Sequence, residues 1–104
     1  MVKPRVDTPQ RIRVSQGVSQ KLLVKRVDPE YPFEARRKRM QGSVVLHIVI
    51  TKAGDVATVE LVVGDPLFAA AAMDAVKQWK YKPYLLDGIP IEVDTQVLVS
   101  FSEL

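Results

Sequence analysis

"IPIEVDTQVLVSF", residues 89–101, decides the fold. Apolar residues alternate with mostly polar ones along this stretch, the period-2 signature of a strand with one buried face. At about 3.3 Å per residue it spans ~43 Å, whereas the next clear strand, "SVVLHIVI" at 43–50, spans ~26 Å. One such neighbour leaves part of the long strand unpaired. Unpaired edges are hazards that proteins blunt with charge or proline. Pro90, Glu92 and Asp94 guard the first half in this way, while "TQVLVSF" at 95–101 is bare.

Upstream, Val44, Leu46, Ile48 and Ile50 share one strand face and Val45, His47 and Val49 the other. "TKAGD" turns the chain with Gly54 suited to positive φ, and "VATVELVV" returns with Val59, Leu61 and Val63 on one face. These two strands predict an antiparallel hairpin. Asp65 and Pro66 read as N-cap and first residue of a helix running to about Lys80, with Phe68, Ala72, Ala75, Val76 and Trp79 as its apolar stripe. "YKPY" leaves it extended and "LLDG" turns into the long strand. Pro29 and Pro32 stiffen "DPEYP", which leads into a short helix, "FEARRKRM", with Phe33, Ala35 and Met40 available to a core and Gly42 as its stop. Ile12–Val14 and Leu22–Val27 are marginal strands.

The expected fold class is α+β: a small antiparallel three-stranded sheet, two helices packed on one face, and an extended N-terminal arm. The expected division is linker and arm over 1–19 and one domain over 20–104. The helices are expected on the face carrying Val44, Leu46, Ile48, Val59 and Leu61.

The chain has 104 residues and no cysteine, which excludes disulfides, thiol catalysis and Cys-based zinc sites. No apolar run approaches the ~18–20 residues that span a bilayer, and the first residues lack the apolar centre of a signal peptide. Charge is uneven: residues 1–41 hold 11 Lys/Arg and 4 Asp/Glu, a net +7, and residues 42–104 hold 4 and 8, a net −4. That asymmetry reads as a solvated linker or as an electrostatic docking arm, the former preferred.

Catalysis is not indicated. His47 is the only histidine and no nucleophile or orienting group is marked out for it. Glu92 and Asp94 share a strand face, but edge protection explains them better than acid–base chemistry. "RRKR" at 36–39 lies on a short helix without interleaved aromatics, so a solvated face is favoured over nucleic acid. The expectation is a non-enzyme with no cofactor, no metal and no nucleic-acid partner. What remains is the strand edge, to which an extended peptide can add through main-chain hydrogen bonds. Homodimerisation through the same edge is the alternative.

Tyr31 and Pro32 followed by Ala35, then "QGSVVLHIVITKAGDV" (41–56), "AAMDAVKQWKYKPY" (71–84) and "VDTQVLVSF" (93–101), resemble the C-terminal domain of the TonB family of bacterial energy transducers. Trp79, Tyr81 and Pro83 fill that family's W-x-Y-x-P pattern, and the resemblance covers roughly residues 20–104. It implies a periplasmic domain tethered to the inner membrane, with no enzymatic activity. It also implies a partner, the TonB box of an outer-membrane transporter, added as a strand beside the last strand, and coupling to an inner-membrane proton-motive-force complex through a part missing here. Carried onto this chain, the binding edge is Val93, Asp94, Thr95, Gln96, Val97, Leu98, Val99, Ser100 and Phe101. Asp28, Pro29 and Glu30, before Tyr31 and Pro32, match a segment implicated in transporter contact. With no anchor and no proline-rich rod, the chain is expected to be an excised domain or a stand-alone relative, and a homodimer is a further possibility.

Overall fold

A computed structural model describes residues 11–102; the first ten residues of the expected arm and the last two of the chain lie outside the described residues. In chain order the elements are β1 (Arg11–Arg13), α1 (Gln16–Gln20), β2 (Leu23–Lys25), α2 (Phe33–Arg37), β3 (Gly42–Ile50) and β4 (Val56–Val63). They continue with α3 (Pro66–Val76), β5 (Lys80–Tyr81), β6 (Tyr84–Leu86) and β7 (Ile89–Phe101). The α+β class is as expected.

The sheet is larger than three strands. Its order is β1-β7-β3-β4, with β6 also on β7 to make five, and β2 and β5 form a separate pair. The β3–β4 hairpin and its pairing with β7 follow the periodicity. Two short strands join β7 besides. Asp87 and Gly88 both take positive φ (54° and 80°), the two-residue turn whose twist matches a hairpin, so Tyr84–Leu86 folds back onto Ile89–Ile91. β1 pairs in parallel with Glu92–Asp94, so the sheet is mixed rather than antiparallel throughout. A third helix, α1, starts where the Ser15 hydroxyl accepts the Val18 N–H at 3.2 Å.

The two edges of β7 differ, and hydrogen-bond phase says how. In an antiparallel strand both backbone groups of a residue point to the same side, and successive residues alternate. The residues flanking a two-residue turn bond to each other, so Ile89 and Ile91 face β6 while Pro90, lacking an N–H, faces away. On the far side the Val14 N–H donates to the Asp94 carbonyl at 3.0 Å. Pairing with β3 runs from Val93↔Ile50 to Phe101↔Gly42 without a bulge. Odd-numbered residues of β7 therefore bond to β6 and then β3, and even-numbered residues point to the other edge. Two strands laid end to end cover one side of the long strand.

α3 covers the sheet with Phe68, Ala69, Ala72, Ala75 and Val76 against Val44, Leu46, Ile48, Val93, Val97, Val99 and Phe101. Asp65 caps it through the Leu67 N–H at 2.8 Å, as expected. The helix ends at Val76 rather than near Lys80, because Gln78 and Trp79 donate three residues back, to Ala75 and Val76. That tighter turn still delivers Trp79 to the core, where its Nε1–H donates to the Val27 carbonyl at 2.9 Å. Gly54 is required at φ +93°, because a Cβ there would lie 1.9 Å from the Tyr81 carbonyl oxygen.

Three expectations need correction. Leu61 is exposed rather than under a helix, since β4 is the outer strand and its register slips between Val45 and Leu46. Phe33 is 73% exposed, because α2 has only five residues and Tyr31 fills the space beside Phe68 and Phe101. Gly42 does not stop α2; it opens β3. Arg39, at φ 56°, ends the helix instead, with Arg39 N–H bonding the Arg36 carbonyl and Met40 N–H the Ala35 carbonyl.

Candidate functional site

Every even-numbered residue of β7 from Glu92 onward aims its N–H and C=O away from β3. Glu92 and Asp94 meet β1 there. Ser15 then caps α1 and turns the chain off the edge. Beyond that point Gln96, Leu98 and Ser100 present three N–H and three C=O groups with no main-chain partner among the described residues. The open run is four residue steps long, about 13 Å.

Two recesses flank it. On the solvent face a cavity of about 460 Å³ is lined by Arg13, Val14, Ser15, Gln16, His47, Asp94, Thr95 and Gln96. On the helix face a cleft of about 50 Å³ is lined by Gln16, Gln20, Leu23, Arg26, Trp79, Tyr81, Val97 and Leu98. An added strand alternates its side chains between these two faces. The first recess is polar. The second is walled by the Trp79 and Tyr81 rings, with the Arg26 guanidinium 5.2 Å from the Trp79 ring centre.

A polar row crosses the solvent face from β1 to β4. Arg13 lies 3.1 Å from Asp94, His47 Nε2 lies 3.3 Å from the same carboxylate, and His47 Nδ1 lies 3.5 Å from Glu60. Burial alone raises the Asp94 carboxyl, but hydrogen bonds and charge from Arg13 and His47 outweigh it and hold it below the ordinary value. Glu92 pairs with Arg11 at 3.1 Å. These two carboxylates hold the arm instead of standing bare as edge guards.

The predicted edge thus divides. Val93, Thr95, Val97, Val99 and Phe101 turn their backbones to β3 and bury their side chains. Thr95 adds a contact to the Ser19 hydroxyl at 3.3 Å. Asp94 is occupied by the arm. Gln96, Leu98 and Ser100 are the open positions.

The second predicted segment lies at the far end of the same strand. Tyr31 packs edge-on against Phe101 and Phe68 at 5.8 and 5.9 Å, its hydroxyl donates to the Met40 carbonyl, and Arg36 lies over its ring at 5.3 Å. Pro29 and Pro32 are half-buried, and Asp28 and Glu30 are exposed, with Arg26 3.4 Å from Asp28. Both segments therefore meet at Phe101. Sequence reasoning missed Arg11, Arg13 and Gln16, which border the open edge. The Arg-Ile-Arg alternation carried a signal for a strand, but none for its partner.

Among the described residues no cluster of three His, Cys, Asp or Glu is placed to hold a metal, and no helix is long and apolar enough to cross a membrane.

Comparison with known proteins agrees with this architecture. Residues 27–102 match the family described as Gram-negative bacterial TonB protein C-terminal. Protein TonB of Vibrio cholerae is 31% identical over 108 residues, an alignment covering 94% of this chain and 44% of that protein, so the chain spans less than half the length of this relative. The solution NMR structure of the Pseudomonas aeruginosa TonB CTD shares the fold at 19% identity, with a TM-score of 0.66 over 78% of this chain and 84% of that one.

Proposed function

This chain belongs to the Gram-negative bacterial TonB protein C-terminal family, and we propose that it is a periplasmic energy-transducing domain that captures the TonB box of an outer-membrane transporter by strand addition. The observation that carries this is the open run at Gln96, Leu98 and Ser100, where six main-chain groups await a partner. Each net hydrogen bond contributes about 1 kcal/mol, so the backbone alone supplies roughly 6 kcal/mol against an association cost of similar size. Side chains entering the two recesses then decide selectivity. Asp28 to Pro32 flank the exit at Phe101 and complete the site.

In the whole protein the domain is tethered to the inner membrane and coupled to a proton-motive-force complex through parts outside this chain. A pull along the strand axis loads all the added hydrogen bonds in shear together, which suits a strand pair to transmit force. The role is read as non-catalytic: Arg13 and His47 Nε2 are both spent on the Asp94 carboxylate.

NMR titration with synthetic TonB-box peptides from candidate transporters tests the reading. The amides of Gln96, Leu98 and Ser100 are expected to shift first, followed by those of 28–32. A saturating peptide that leaves the three edge amides unmoved refutes it, and so does a concentration-dependent dimer that buries them.

A further inference from the structure

We propose that β1 is a built-in occupant of the binding edge, displaced when a partner strand adds. The proposal rests on the strand-addition reading above. While β1 is docked, the outward positions open to a partner are Gln96, Leu98 and Ser100; once it leaves, Glu92 and Asp94 join them. The edge then lengthens from about 13 Å to about 26 Å.

β1 is the weakest member of the sheet. It has three residues in parallel pairing, the less stable arrangement, against nine continuous pairs between β3 and β7. Beyond its short ladder and the Val14 N–H bond to the Asp94 carbonyl, its grip on β7 comes from two ion pairs: Arg11 with Glu92, both partly exposed, and Arg13 with Asp94, the arginine side chain 81% exposed and the carboxylate 15%. The Arg11–Glu92 pair contributes little, and the exposed arginines leave both pairs open to screening by salt. Ile12 and Val14 add apolar contact but are only half-buried.

The exit is also built to give way. α1 is a single five-residue segment containing Gly17, far below the length at which a helix holds itself together. Its Gln16 lines both recesses beside Gln96 and Leu98, so departure of the arm clears that part of the edge as well. The motion stops at Ser19, which is fully buried against Thr95, and at Leu22, whose carbonyl accepts the Lys82 N–H at 2.7 Å. The hinge is therefore 14–18, and the core is left intact.

The experiment uses the full chain and a synthetic TonB-box peptide. In the wild type, proximity signals between Ile12 and Val93, which lie side by side, are expected to vanish at saturation. A double variant, Arg11→Glu with Arg13→Glu, places four carboxylates together and releases the arm; it is expected to bind the peptide about fivefold tighter, because the competent state no longer competes with the docked one. If the edge amides shift while the Ile12–Val93 signals persist, or if the variant binds no tighter, displacement is overturned and the strand-addition reading stands. If the edge amides do not move in either protein, both are overturned. The wild-type measurement decides even where the double variant folds poorly.

Discussion

Proline placed at adjacent positions of β7 separates its two edges. Leu98 points its N–H to the open side, and its side chain is 47% exposed on the solvent face. Leu98→Pro therefore removes no ladder bond. The chain already tolerates this arrangement at Pro90, which has the same phase. The expected loss is about 1 kcal/mol, mostly strand strain. Val97 is 4% exposed and bonds to Leu46, so Val97→Pro deletes a ladder donor, orphans a buried carbonyl and disturbs the core. That costs about 3 kcal/mol or more. For a domain of this size, ~1 kcal/mol corresponds to about 4–8 °C in Tm, so the two variants are expected to separate by about 8 °C or more in thermal unfolding followed by circular dichroism. Peptide binding inverts the comparison. Leu98→Pro leaves a folded domain that has lost one edge donor, worth about fivefold in Kd. Equal destabilisation by the two prolines refutes the assigned phase, and with it the choice of Gln96, Leu98 and Ser100 as the open residues.

Two further outcomes follow from the backbone and the core. Arg39→Gly relieves a left-handed residue at the end of α2 and is expected to stabilise by about 0.5–1 kcal/mol in urea titration; no gain counts against that cap. Burial pushes the Tyr81 phenol up to about 12, with Arg26 pulling the other way, so its neutral form is favoured in the folded state. Its stability contribution is then intact below the unfolded value near ~10 and is lost as pH rises through 12. Spectrophotometric titration is expected to show a late phenol component that is absent in Tyr81→Phe; no late component contradicts the burial of Tyr81.

Local signals carried much of the fold. The β3–β4 hairpin was readable because period-2 alternation is interrupted only by a glycine turn, and the start of α3 because Asp65 and Pro66 are a cap and a first-turn proline. The helix end was misread because Trp79 continues the stripe by spacing while the backbone has already tightened. Pairing of β1 was not readable at all. It depends on carboxylates some 80 residues away, and nothing local specifies parallel addition. For the candidate site, alternation told which β7 side chains are buried. It did not tell which backbone groups are free. Face is set by a residue's own polarity, whereas edge is set by where the neighbouring strand lies.

The uneven charge acquires a physical meaning from this geometry. Arg11 and Arg13 belong to the basic half, Glu92 and Asp94 to the acidic half, and the two halves meet along one edge of one strand. The docking-arm reading of the charge, less favoured than a plain linker from the sequence, describes what the described part of the arm does, with its own chain as the dock. A strand that protects its edge by charges of its own repels every addition, wanted or not. A short cationic strand laid on those charges protects equally well against chance pairing yet can be removed, since ion pairs exposed to water hold it weakly. The acidic positions need not guard the half of the edge beyond Asp94, where Gln96, Leu98 and Ser100 are uncharged. Under the proposed strand addition, that division offers an incoming segment an unblocked run at Gln96, Leu98 and Ser100 on which to pair before it meets the arm at Asp94.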